Sequence, residues 1–261
     1  MWRKARHLFV VWAAWALVMG CHDDHGNYPG GNPGFPVDTS RGIDAAVDAR
    51  PDGGDSLAAG RIRGQICRVE DPAKVGPCEP VQNSKLIVAI GALKTAKVDA
   101  DGRFDIEVPT GAKEPVVSTN VDNDVYFGGA TQVSLGSQGG AINVKIPVMR
   151  RSDLRILTET SNIAIQPGTG LLVVHVERNG APVQGATLTD VQGLVPFYDT
   201  ATPFLFTPSG VTGPRGTAIY FNLTPGTIAY SVSKDGKTSR FSSVAAQSAL
   251  FVTTAVLPLS P

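Results

Sequence analysis

The chain has 261 residues, 23 of them basic and 23 acidic, which gives room for one or two domains with real cores and not for a large multidomain enzyme. Setting aside Arg3, Lys4 and Arg6 leaves a slight acidic excess, so there is no field for nucleic acid, whose binding comes largely from neutralised phosphates. With 29 Gly and 19 Pro, the composition suits short strands and turns better than long helices.

Residues 1–20 read as an export signal. Arg3, Lys4, Arg6 and His7 make a positive start, and Leu8 to Gly20 is an uncharged run of 13 residues. A bilayer-spanning helix needs about 20 apolar residues, so the run is expected to be cleaved rather than to anchor. It ends Leu17-Val18-Met19-Gly20-Cys21, which resembles the bacterial lipobox: an aliphatic residue, a variable small residue, then Gly or Ala before Cys. Met19 is larger than the residue usual at its place. The resemblance implies diacylglyceryl transfer to the Cys21 sulfur, cleavage after Gly20 and acylation of the new amine. Acyl chains of the palmitate kind contribute about 0.8 kcal/mol per buried CH₂, so several hold a protein stably to a membrane. The expected location is therefore the cell envelope. His22, rather than Asp, follows Cys21, which by the enteric sorting pattern points to the outer membrane, on its periplasmic side or at the cell surface. The competing reading is an ordinary cleaved signal that ends beside a cysteine.

Lipidation takes one of three cysteines and leaves Cys67 and Cys78, a pair in an oxidising compartment. A disulfide between them is expected; two buried free thiols are the alternative. A zinc site is disfavoured, because no His or third Cys lies nearby. Between anchor and pair, residues 21–59 form a Gly/Pro/Asp-rich tether, in which these three types fill 18 of the 38 positions from His22 to Ala59. No apolar periodicity offsets the entropy of ordering it, so disorder is expected there.

From Gly60 the texture changes. Arg61-Ile62-Arg63-Gly64-Gln65-Ile66 alternates, Leu86 to Ile90 is an apolar run, and Phe104, Ile106 and Val108 alternate with Arg103, Asp105 and Glu107. Strands are also predicted at Val116-Val117, Val125 to Phe127 and Ile142 to Ile146. A short helix is predicted over Ser152–Ser161, with Ser152 as N-cap and Leu154, Ile156 and Leu157 on one side. Strands resume at Leu171.

The two stretches of strands carry an internal repeat. Pro80-Val81-Gln82-Asn83-Ser84-Lys85-Leu86 matches Pro182-Val183-Gln184-Gly185-Ala186-Thr187-Leu188, and Asp101-Gly102 to Gly111 parallels Arg215-Gly216 to Gly226 in the same order. The pattern resembles the carboxypeptidase regulatory-like domain, a transthyretin-like β-sandwich. The similarity rests on Asn179 to Leu188, on the turn Asn222-Leu223-Thr224-Pro225-Gly226, and on Val98-Asp99-Ala100-Asp101-Gly102-Arg103-Phe104. Asn83-Ser84 departs from the usual Gly-Ala, and the Cys67–Cys78 loop interrupts the opening turn. These motifs are turn chemistry and speak for fold, not activity. The expectation is an all-β chain of two tandem transthyretin-like or Ig-like sandwiches, residues 60–150 and 165–257, joined by a linker at 151–164.

Candidate sites are few. Asp99, Asp101 and Asp105 lack the Gly and Glu spacing of a calcium loop, and Asp-Gly favours a hairpin turn, so no metal is assigned. His175 is the only histidine beyond the tether and alternates onto the side of Val173 and Glu177; it is expected on a sheet face. No Gly-x-Ser-x-Gly elbow, His-Glu-x-x-His or phosphate loop occurs. The spacing from the Pro-Val-Gln turn to the Gly turn is 22 residues in the first unit and 34 in the second. The extra residues, Asp190–Gly210, carry Phe197, Tyr198, Phe204 and Phe206. Those aromatics either pack inward on an extra hairpin, the favoured reading, or form a patch for a partner. The chain is expected to be a non-enzymatic envelope lipoprotein without a cofactor, structural or adhesive in role. Its partners would be the membrane and an envelope protein or glycan. A carbohydrate- or peptide-binding accessory module is the alternative; all three Trp lie in residues 1–20, which disfavours a sugar platform.

Overall fold

The computed structural model describes residues 60–258, apart from 75, 77, 82–84, 92–93, 121–123, 138, 209 and 246. The predicted signal, Cys21 and the tether lie outside the described residues. The first half contains β1 (Arg61–Val69), β2 (Glu79–Pro80), β3 (Ile87–Ile90), β4 (Lys94–Lys97), β5 (Arg103–Glu107), β6 (Val116–Thr119), β7 (Tyr126–Gln132) and β8 (Ala141–Arg150). After helix α1 (Arg151–Thr160) come β9 (Gly170–Arg178), β10 (Ala181–Pro182), β11 (Thr187–Leu188), β12 (Phe197–Asp199) and β13 (Phe206–Thr207). The last four strands are β14 (Thr217–Leu223), β15 (Gly226–Lys234), β16 (Lys237–Ala245) and β17 (Ala249–Val256).

The repeat seen in sequence is a repeat of pairing. β1 turns back on β2 and lies between antiparallel β5 and parallel β8. β9 turns back on β10 and lies between antiparallel β14 and parallel β17. Likewise β3 pairs β6 and β6 pairs β7, as β11 pairs β15 and β15 pairs β16. Pro80 and Pro182, which open the repeated Pro-Val-Gln runs, end β2 and β10, where proline, with no N–H to donate, is tolerated because pairing stops after two residues. Period-two patterning sets the faces: in β5, Phe104 and Ile106 are buried while Arg103, Asp105 and Glu107 are exposed.

The helix differs from its prediction. β8 runs straight into it, so the strand's last residue, Arg150, takes the N-cap position in extended conformation and offers no side-chain cap; Ser152 lies inside the first turn. Leu154 and Leu157, three residues apart, share the buried face, whereas Ile156 is 43% exposed.

The halves are joined through the sheet. Ala249, Leu250 and Phe251 of β17 pair in parallel with Gly128, Gly129 and Ala130 of β7. The order becomes β13-β12-β14-β9-β17-β7-β6-β3-β4, with β11-β15-β16 as a separate sheet. β5, β1 and β8 cover one face of the first half around Ile62, Ile66, Phe104, Val117 and Ile146. β11, β15 and β16 cover the opposite face of the second half around Leu172, Val174, Tyr220, Tyr230 and Phe251. A third core belongs to both halves: Phe127 and Met149 from the first, Leu154 and Leu157 of α1, and Leu171, Phe206, Ile219, Phe221 and Leu250 from the second. Gly129 permits the close crossing of β7 by β8 within the first half, since a Cβ there would lie 1.5 Å from the carbonyl oxygen of Pro147.

Candidate functional site

Cys67, at the end of β1, is disulfide-bonded to Cys78, just before β2. The loop so closed is docked through Asp71–Ala73, while Lys74 and Gly76 are exposed. Asp71 and Ala73 are 8% and 3% exposed, and Ala73 belongs to the third core. One Asp71 carboxylate oxygen accepts the Ala73 N–H at 3.0 Å; the other meets the Arg215 guanidinium, from the second half. Arg215 also donates to the backbone oxygens of Thr200 and Thr202, both at 3.1 Å.

Asp199 ends β12 with its side chain fully buried. Its carboxylate accepts the N–H groups of Gly213 (2.9 Å), Arg215 (2.8 Å) and Thr217 (2.8 Å), which fixes the loop presenting Arg215. Beside it, His175 of β9 faces Thr217 of β14, with Nδ1 3.0 Å from Thr217 Oγ1. Burial pushes the His175 pKa down to about 4, with the Asp71 charge opposing in part. The imidazole is therefore neutral at pH 7. Asp71, Asp199 and His175 are engaged within the cluster, while Arg215 Nε, buried and without a hydrogen bond, lies 3.9 Å from Asp199, so the chemistry is that of a buried clamp between the halves.

The predicted aromatics point inward. Tyr198 and Phe206 are 4% and 1% exposed, and Phe197 and Phe204 pack partly buried on the third core. Phe197 meets Phe221 edge-on at 5.4 Å. Tyr198 Oη accepts the Leu188 N–H at 2.9 Å, and burial raises its pKa. The added hairpin thus turns these aromatics into the cores: Phe197, Phe204 and Phe206 pack with Phe221 of β14 and the leucines of α1, and Tyr198 packs in the core under β11-β15-β16. Asp99 accepts the N–H groups of Asp101 and Arg103, as a turn residue does, and Asp105 pairs with Arg61 at 2.7 Å. Among the described residues no group of three His, Cys, Asp or Glu is placed to hold a metal.

Nothing in the sequence marks Asp71, Asp199 or Thr217 as site residues, and Arg215 stands out there only as the start of a repeated turn. Asp71 and Arg215 are 144 residues apart, each beside a proline, and read locally as turn residues.

The strand pairing defines the class: a mostly β protein built of sandwich-like sheets. No protein-family model matches the chain. No curated protein matches it in sequence. Similar solved structures include a shaft pilin of Lactobacillus rhamnosus GG, at 9% identity over 77% of this chain and 99% of that one, with a TM-score of 0.24. A candidate cell adhesion protein from Bacteroides ovatus is 10% identical over 77% of this chain and 92% of that one, at a TM-score of 0.21. A streptococcal ancillary pilin is 11% identical over 76% and 62%, at 0.22.

Proposed function

We propose that this chain is a non-enzymatic lipoprotein of the cell envelope, anchored through Cys21, in which two fused sandwiches serve a structural or adhesive role. The observation that carries the reading is the junction. A surface spacer or adhesin must hold its parts in fixed relation. Continuous β7–β17 pairing, a core drawn from both halves and the Asp71–Arg215 pair supply that rigidity. Interfaces between domains of one chain are otherwise commonly small and mobile. The anchor follows from the lipobox-like run before Cys21. Cys21→Ser should move the protein from the membrane to the soluble fraction and abolish detergent-phase partitioning. Retention at the membrane in that variant refutes the lipid anchor.

A further inference from the structure

The two halves close the same hairpin in different ways. β1 and β2 pair Cys67 with Pro80 and Arg68 with Glu79; β9 and β10 pair Glu177 with Pro182 and Arg178 with Ala181. The match extends to the next turn, where the Ile66 N–H donates to the Gly102 oxygen at 2.8 Å and the Val176 N–H to the Gly216 oxygen at 2.7 Å. In the second half Asn179-Gly180 suffices for the connection, with φ of 56° and 73°, the left-handed pair that a tight hairpin requires. In the first half the connection is residues 69–78, closed at its base by Cys67–Cys78. Hairpin closure therefore explains neither the extra residues nor the bridge.

The added loop reaches across the junction. Asp71, Pro72 and Ala73 are buried. Asp71 meets Arg215 of the second half, and Ala73 sits in the core shared by both. Beside Cys67, Arg68 reaches Glu70 at 2.7 Å and Asp153 of α1 at 3.6 Å. Ordering each loop residue costs backbone entropy. One ion pair and three buried residues offset that cost only while the ends of the loop are held together. The bridge can be approached from one side: Cys67 is buried, but Cys78 is half-buried, with Gly76 and Glu79 exposed on either side of it.

We infer that Cys67–Cys78 is a redox-sensitive latch on the junction: its reduction by a dithiol releases the 69–78 loop from the second half, frees Arg215 from Asp71 and leaves the β7–β17 pairing in place. The thiolate of the dithiol attacks the Cys78 sulfur, the Cys67 sulfur leaves and takes up a proton, and the second dithiol sulfur displaces Cys78 as a thiol. The bridge gains two electrons and two protons, and the dithiol closes to its own disulfide. Asp199, which accepts the N–H groups of Gly213, Arg215 and Thr217, keeps the Arg215 loop folded in either state, so the change is confined to the latch. The inference concerns the junction and does not depend on the Cys21 anchor.

The test uses the full chain carrying Cys21→Ser, in which Cys67 and Cys78 are the only cysteines. Asp71→Asn, Arg215→Gln and the double variant form a cycle read by urea unfolding, oxidised and in excess dithiothreitol. With the bridge closed, the two residues should couple at least about fivefold in the unfolding constant, equivalent to about 1 kcal/mol; with it open, less than about twofold. In the chain without those two changes, reduction should speed amide exchange at least about fivefold within residues 69–76, leave β7 and β17 unchanged, and be reversed by reoxidation. That reading stands by itself if a variant does not fold. Equal coupling in both redox states overturns the latch, because the loop then docks without its bridge. So do absence of coupling in the oxidised chain, a bridge that resists dithiothreitol in the folded chain, and a reduction that also opens β7 and β17.

Discussion

His175 offers a sharp test of the clamp, because its protonation sets burial against charge. The folded pKa is about 4, lowered by burial. In the unfolded chain an imidazole titrates near 6.5, so the gap is about 2.5 units, and at 1.36 kcal/mol per unit the group governs on the order of 3 kcal/mol. The sign follows from proton counts. Between pH 6.5 and 4 the unfolded chain binds a proton that the folded chain refuses, so stability falls as pH is lowered through that window and is full above it. The charge acting on the ring is that of Asp71, which favours the imidazolium and is itself paired with Arg215. Replacing the ring by an amide, His175→Gln, removes the titration. Urea unfolding at pH 7, 6, 5 and 4, followed by far-ultraviolet circular dichroism, should then show the stability gap between wild type and variant shrinking by about 3 kcal/mol as pH falls. Carboxylates titrating at the low end act on both proteins and cancel in the difference. Parallel curves for the two proteins, or a His175 imidazole resonance titrating at 6.5 or above in the folded chain, would refute the buried neutral histidine.

The inward hairpin predicts that Phe206→Ala costs about 3–5 kcal/mol, the range for truncating a buried aromatic, whereas a patch residue would cost under about 0.5 kcal/mol. Tyr198→Phe should cost about 1–3 kcal/mol, because it leaves the buried Leu188 N–H without its acceptor. Thermal or urea melts read both. Reduction of Cys67–Cys78, or the double change to serine, should lower stability by roughly 3 kcal/mol, as expected for releasing so short a loop. Equal midpoints with and without a dithiol reductant would show that the docked loop holds without its covalent closure.

The parts of this fold legible in sequence are those encoded locally. Alternation in Arg103–Glu107 and the Pro-Val-Gln turns depend on neighbours a few residues away, so strands, duplication and the cysteine pair could be read directly. The helix cap departs from the sequence expectation because Ser152 obeys capping preference, while the cap position is set by where β8 ends. The polar clamp lay beyond local rules altogether. Asp71, Asp199 and Arg215 are turn residues in sequence, and only the closed chain brings them together across the junction.

The junction did leave traces, and they differ in kind from a turn motif. Ala249-Leu250-Phe251-Val252 is continuously apolar, the pattern of a strand covered on both faces, whereas a sandwich strand with one solvent face alternates. Leu250 enters the core shared by the halves, and Phe251 enters the core under β11-β15-β16. The paired residues on β7 are Gly128 and Gly129. Adjacent glycines weaken a strand and persist where another backbone comes close, here the Pro147 carbonyl on one side of Gly129. A doubly apolar last strand and a glycine pair in an otherwise ordinary strand are each ambiguous alone. The glycine pair marks where β8 crosses β7 within the first half, and the doubly apolar last strand marks one covered on both faces.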